Sequence, residues 1–288
     1  MSYVVCGKNE KNLHTTYEIR HTVRITPILS AIVLNFKSPR DTVTCVQALE
    51  NQTIANQIEI LVVDNHSEDD SIGVIRNRLT DLPHVKIIES ARNTGYGQGN
   101  GFGLHYATGN YILIINPDNA LHPDALELML EKMEREQDIG IISPKLIHED
   151  HTVRHSARSF PTFFDVLVKR LAPHTTFKSR IDRYLQRTYD PDCERDVDWV
   201  VGACMLIRRS ALEKVGTFDP RFFLFFEDMD LCRRMKNAGF RIHYFPAAIA
   251  SDKKHRLTDG SLISVFLSQS GRAHIASAVK YFWKWRAF

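Results

Sequence analysis

The chain has 288 residues, 43% of them hydrophobic and 25% charged, with a formal net charge of +3. This length supports one large or two small domains with a real core, and so slight a charge gives no ground for a nucleic-acid partner. No run approaches the ~20 apolar residues of a membrane span, and residues 1–27, polar and charged, lack the apolar core of a signal peptide.

Cys6, Cys45, Cys193, Cys204 and Cys232 form no CxxC pair. Their odd count and irregular spacing indicate neither a zinc site nor a disulfide framework, which favours a reducing, cytoplasmic compartment. No fixed-period repeat is present.

Residues 1–27 read as an extension without periodicity. Ile28 to Leu34 is a buried strand, and Ser38-Pro39 starts a helix with proline at its first position, turning Val43, Val46 and Leu49 inward. Ile58 to Val63 is a second strand, and a short helix runs from Ser67 or Glu68 to Leu79. Val85 to Ile88 is a third strand. A glycine-rich turn from Arg92 to Asn100 then opens a helix over Gly101 to Ala107. Tyr111 to Ile115, short and rich in β-branched residues, is a strand buried on both faces.

Pro117 stops that strand and leaves Asp118 at its carboxyl end, ahead of a helix with a Leu126/Met129/Leu130/Met133 stripe. Alternating strands and helices of this kind predict an α/β layered domain with a mostly parallel sheet, whose ligands sit at the strands' carboxyl edge.

Ile139 to Ile142 is a further strand, and 143–195 read as basic hairpin and loop facing an acceptor. Asp198 to Ile207 is strand-like with a small-residue kink at Gly202-Ala203. A helix begins at Glu227, pairs Asp230 with Arg234 and ends at Gly239, before a last strand over Phe240 to Phe245. From Gly260 to Phe288 no acidic residue occurs.

Several positions carry two readings. Asp118 suits a divalent cation that itself holds phosphates, or it caps the next helix. Asp64 would accept from a ring imide or ribose hydroxyls, or it organises an Asx turn. The glycines of 95–103 admit a ligand to the backbone at a helix N-terminus, or let a helix pack tightly on the sheet. They match neither G-x-G-x-x-G nor a P-loop.

Glu227-Asp228 is either a general base, made basic by desolvation against the pull of the helix N-terminus, or a pair of ordinary N-terminal acids. Asp230 reads as the latter. His148, His151 and His155 read as a solvated turn, and His255 by itself carries nothing. Ile275, Ala278, Val279, Phe282 and Trp285 share a helical stripe opposite Ser277, Lys280 and Lys284. That helix either lies on anionic lipid or docks on the protein's own core.

Val33-Leu-Asn-Phe-Lys37, Val62-Val-Asp-Asn-His-Ser67, Arg92-Asn-Thr-Gly-Tyr-Gly-Gln-Gly-Asn100, Asn116-Pro-Asp118, Gly202-Ala-Cys-Met-Leu-Ile-Arg-Arg209 and Glu227-Asp-Met-Asp-Leu-Cys-Arg-Arg234 occur in that order. Together they resemble the inverting glycosyltransferases of family 2, with the GT-A fold, and most closely their rhamnosyltransferase-like branch.

The resemblance implies a catalytic domain over 28–258, with a nucleotide-binding half to 120 and an acceptor half from 121, followed by a basic amphipathic helix within 259–288. It implies a dTDP- or UDP-linked sugar donor, held by Leu34, Asn35, Asp64, Asn93, Gly95, Gly97, Asn100, Asn116 and Asp118. Asp118 and His255 would contact Mg2+ or Mn2+. Trp199, Gly202 and Ala203 would lie near the sugar and acceptor. Asp228 would deprotonate the acceptor hydroxyl with Glu227 in support.

The acceptor would be a glycan or lipid-linked glycan at the inner face of the cytoplasmic membrane. The usual D-x-D reads Asn-Pro-Asp here, so its first carboxylate is missing. The competing classes are a nucleotidyltransferase, which would want more basic residues after the first strand than Lys37 and Arg40, and a non-catalytic sugar-nucleotide or glycan-binding module. The enzymatic reading requires Asp64, Asp118 and Asp228 around one cavity.

Overall fold

The computed structural model describes residues 27–166, 177–253 and 268–286. His255 and the N-terminal extension apart from Pro27 lie outside the described residues. Strand β1 (Leu29–Asn35) is followed by α1 (Pro39–Glu50), β2 (Ile58–Asp64), α2 (Ser71–Leu79), β3 (Val85–Glu89), α3 (Tyr96–Leu104) and β4 (Tyr111–Ile115). Next come β5 (Asn119–Leu121), α4 (Ala125–Arg135), β6 (Ile139–His148), β7 (Val153–Arg154), β8 (Ala157–Arg158), α5 (Lys178–Tyr184) and β9 (Arg195–Asp196). The described chain closes with β10 (Trp199–Val200), β11 (Cys204–Arg208), α6 (Arg209–Val215), α7 (Glu227–Asn237), β12 (Arg241–Asp252) and α8 (Gln269–Trp285).

The main sheet runs β3-β2-β1-β4-β11-β6-β12-β5. β3, β2, β1 and β4 are parallel, as the βα alternation predicts, but β11 enters antiparallel between β4 and β6. The sheet is therefore mixed. Alternate residues of β1 point to opposite faces. Leu29, Ala31 and Val33 pack with Val46, Ile75 and Met129 of α1, α2 and α4, whereas Ile32 and Leu34 pack with Leu212, Met235 and Phe282 of α6, α7 and α8.

The structure departs from the sequence expectations where long-range contacts decide. The glycine run is not a turn before a helix; it is helix α3 itself, starting at Tyr96 behind an N-cap Gly95 with φ +82°. A Cβ on Gly99 or Gly103 would stand 2.7 Å from Leu34 or 2.8 Å from Ile32, so these glycines let the helix lie close on the sheet. The 198–207 segment is two strands, because β10 leaves the main sheet to pair with β8. α6 and β5 were not foreseen, and the 143–195 region contains β7, β8 and α5 as well as loop.

α8 docks on the core through Ala278, Tyr281 and Phe282, and Ser277, expected on the outer face, is buried and donates to Leu224 O at 2.9 Å. Lys284 points inward to Asp230 at 2.6 Å. Ile275, Val279 and Trp283 face outward instead, so the single predicted stripe divides between two faces.

Arg208, at the end of β11, is buried without a carboxylate partner among the described residues. It donates to Met133 O at 2.5 Å, Ile139 O at 3.2 Å and Tyr111 Oη at 2.9 Å, closing the last turn of α4 onto the sheet. Arg208→Leu leaves these buried acceptors unsatisfied. It is expected to lower stability by ~2–3 kcal/mol, seen as a lower urea midpoint with an unchanged slope.

Candidate active site

A cavity of about 1180 Å³ opens at the carboxyl edge of the sheet. The end of β1 and the residue after it deliver Leu34 and Phe36, the exit of β2 delivers Asn65, and the exit of β4 delivers Asn116, Pro117 and Asp118. The turn before β11, the loop before α7 and the start of α8 complete the wall.

The loop before α7 holds consecutive left-handed residues, Phe225 at φ +68° and Phe226 at φ +70°. Such a conformation costs bulky residues free energy and persists only under strong packing. That packing is aromatic: Phe226 lies against His274, Tyr281 and Phe282, with ring centroids 5.2–6.3 Å apart. The bend turns Glu227 and Asp228, both buried, into the cavity.

Asp228 Oδ1 accepts from its neighbour Met229 N at 2.7 Å, and Oδ2 accepts from Gly202 N at 2.9 Å. Tyr96 Oη donates to the carbonyl of the same Gly202 at 2.6 Å. Gly97 leaves room for the Glu227 side chain, since a Cβ there would stand 3.2 Å from it. Burial raises both carboxyls above their ordinary range. Asp228 is pulled back by its backbone donors and the Arg158 charge, while Glu227 is raised further by Asp228's charge. Glu227 Oε2 has no hydrogen-bond partner. Glu227 is therefore the proton-holding member, and Asp228 the basic one.

Elsewhere on the cavity lining, burial and then the Asp252 charge raise Asp118, against the pull of Arg154. Asp252 is buried beside Asn119 through the β5–β12 pairing, and it binds Arg154 and His148, the latter at 3.1 Å. Among the described residues no three His, Cys, Asp or Glu side chains gather as a metal cage. The donor set still fits a cation of the kind that takes few protein ligands and completes its shell on phosphate and water. Asp118 offers a carboxylate, and Asn116 Oδ1 is without a hydrogen-bond partner.

Of the predicted residues, Leu34, Asn93, Gly95, Asn116, Asp118, Trp199, Gly202, Ala203, Glu227 and Asp228 line this one cavity. Four others do not. Asp64 stands behind the wall, its carboxylate accepting from Asn35 Nδ2 (2.7 Å), Ser67 N (3.1 Å) and Ser67 Oγ (2.6 Å), which is the turn-organising alternative. Asn35 is the buried partner of that turn and also accepts from Thr42 at 2.9 Å. Asn100 is fully buried and donates to Tyr96 O at 3.0 Å, and Gly97 faces Phe218 and Glu227. The three-aspartate expectation thus holds for Asp118 and Asp228 but not for Asp64.

Residues that sequence reasoning missed include Asn65 and Asp252, and Tyr96 figures in it only within the 93–100 stretch along the nucleoside. Asn65 donates to Asn93 Oδ1 at 3.0 Å and Gly95 O at 3.2 Å, tying the β2 exit to α3. Asn65 and Tyr96 sat inside quoted motifs, but Asp252 had no local signal at all. His148, assigned to a solvated turn, is buried against Asp252, whereas His151 does occupy the turn at φ +60°.

A mixed sheet with acidic residues on one rim defines the class: a GT-A-type sugar transferase fold. Two solved structures share it. One is GalNAc-T7 with UDP, GalNAc and Mn2+ (TM-score 0.64, 15% identity, 90% of this chain and 48% of that one). The other is the mannosyltransferase PcManGT of Pyrobaculum calidifontis with GDP-Man and Mn2+ (TM-score 0.59, 15% identity, 89% of this chain and 65% of that one).

Residues 30–216 match Glycosyl transferase family 2, and the chain belongs to that family; it is a glycosyltransferase. It is similar to the N-acetylglucosaminyl-diphospho-decaprenol L-rhamnosyltransferase of Mycobacterium tuberculosis, at 28% identity over 80% of this chain and 78% of the relative. It is also similar to rhamnosyltransferase WbbL of Escherichia coli, at 29% identity over 78% of this chain and 92% of the relative.

A carboxyl whose folded pKa is raised keeps a proton that the unfolded chain releases. Its presence therefore costs stability as pH rises from the ordinary carboxyl range through the folded value. Glu227→Gln is expected to raise the melting temperature above wild type at neutral pH and to match it near about pH 4. Thermal denaturation across pH reads the difference.

Proposed function

We propose that the chain is an inverting glycosyltransferase using a dTDP- or UDP-linked sugar. The sugar is rhamnose, the one named in two similar enzymes, and the acceptor is a hydroxyl of a lipid-linked glycan in cell-surface polysaccharide synthesis. The observation that carries this reading is the pairing of Asp118 and Asp228 across one cavity, with Asp228 aimed by two backbone N–H groups.

In this reading Leu34, Phe36, Asn65 and Asn93 surround the nucleoside, and Asp64 acts by holding the turn that presents Asn65. The Trp199 ring, fixed by its Nε1 donating to Ser159 O at 2.9 Å, flanks the transferred sugar. Asp228 takes the acceptor proton as the hydroxyl attacks the anomeric carbon, and one displacement inverts that centre. Glu227, protonated, keeps a second negative charge from opposing the donor. Mg2+ or Mn2+, when bound, would be held by Asp118 and the Asn116 amide oxygen and would supply charge neutralisation for the departing diphosphate.

Asp228→Asn is expected to lower kcat ~100-fold or more while donor binding persists, and Asp118→Ala to weaken donor binding and hydrolysis together. Both variants turning over donor like wild type would remove the mechanism.

We infer a peripheral seat on the inner face of the cytoplasmic membrane. No helix among the described residues is long and apolar enough to cross a bilayer. The outer face of α8 sets Ile275, Val279 and Trp283 between Arg272 and Arg286, all exposed, and suits an anionic lipid surface. Val279→Ser with Trp283→Ser should reduce co-sedimentation with phosphatidylglycerol vesicles severalfold and leave that with neutral vesicles low. Equal binding to anionic vesicles would count against the lipid face.

A further inference from the structure

The cavity holds two sets of cations, sorted by the aspartate each one influences. Arg154 acts on Asp118 and is neutralised by Asp252. Arg158 acts on Asp228, and among the described residues it stands in no ion pair.

Arg158 is nonetheless held in place. Its β8 position is paired with Trp199 of β10, its guanidinium lies 5.1 Å from the Trp199 ring centroid, and its Nε donates to His155 O at 3.2 Å. Tyr184, at the end of α5, hydrogen-bonds it and lines the same cavity. Arg187 lines the same wall, with only a 3.4 Å contact to Asp182. His155, half-buried on this wall, is lowered by burial and then by Arg187, Arg158 and Arg195, with Asp182 acting in the opposite sense. The guanidinium groups of Arg158 and Arg187 therefore both line the cavity, Arg187 paired with Asp182 and Arg158 in no ion pair among the described residues.

From this placement we propose that Arg158 and Arg187 form a second anion subsite, for a phosphate or diphosphate group carried by the acceptor. The inference rests on the transferase reading above. The acceptor's hydroxyl must reach Asp228, so cations on the Asp228 side face the acceptor, whereas the donor's diphosphate belongs beside Asp118 and Arg154. A guanidinium presents paired N–H donors that match phosphate oxygens, and stacking on Trp199 fixes one such fork in advance. The subsite makes the acceptor's anionic linkage, as well as its sugar, a determinant of recognition.

The test uses the full chain and inorganic pyrophosphate as probe, titrated calorimetrically with dTDP or UDP present at saturation. Wild type should bind pyrophosphate under these conditions. Arg158→Gln and Arg187→Gln should each weaken that binding about tenfold or more, with dTDP and UDP affinities unchanged and Arg158→Lys recovering part of the loss.

Weakening of nucleotide binding in step with pyrophosphate would assign the cluster to the donor and overturn the proposal. So would pyrophosphate affinity that neither variant moves, including the case where Arg158→Gln shifts only the acid limb of the pH–rate profile and thus merely tunes Asp228. If neither nucleotide binds, the transferase reading itself falls, and pyrophosphate binding still separates the variants from wild type or does not.

Discussion

The backbone of Gly202 is held on both sides. Its N–H is taken by Asp228 of α7 and its carbonyl by the hydroxyl of Tyr96 at the start of α3. Three segments distant in sequence meet there, and the orientation of the Asp228 carboxylate depends on it. Gly202 suits the place because a Cβ would press within 3.3–3.4 Å of Tyr96 and Asp228. Hydrogen bonds from backbone amides stabilise a buried carboxylate without adding a mobile charge, so Asp228 keeps basicity from burial while holding one geometry.

Around that clamp the protein separates two acidic tasks. Asp118 shares its wall with Asp252, Arg154 and His148, a compact ion cluster held by the pairing of β5 with β12. Asp228 lies within reach of the Arg158 charge, and among the described residues neither it nor Glu227 forms an ion pair of its own. Two carboxylates this close do not both ionise readily in a low-dielectric site. Unequal hydrogen bonding decides which of them keeps the proton.

The C-terminal helix is part of the same construction. Tyr281 and Phe282 pack on Phe226, whose strained backbone sets the bend that points Glu227 and Asp228 inward. Trp285 Nε1 and Lys284 both reach Asp230, so this acid ties α8 to α7 as well as pairing with Arg234. One face of α8 thereby supports the site, while the first turn lines the cavity and the opposite face carries an apolar stripe to the surface.

The sequence by itself determined the strands β1–β4 and β6, the helices α1, α2, α4 and α7, and the carboxyl edge of the sheet where Asp118 stands. Those features follow from local periodicity, β-branched runs and proline punctuation, which act within a few residues. It also carried the ordered motifs that mark the family. Tertiary structure alone decided that β11 enters antiparallel, that the glycine run is a helix lying close on Leu34 and Ile32, and that Asp64 serves a turn behind the wall. It alone placed Asp252 beside Asn119 and turned Ser277 and Lys284 inward. Each of these involves a partner from about thirty to somewhat over a hundred residues away, and a side chain's burial or charge state follows from that partner more than from its neighbours in the chain.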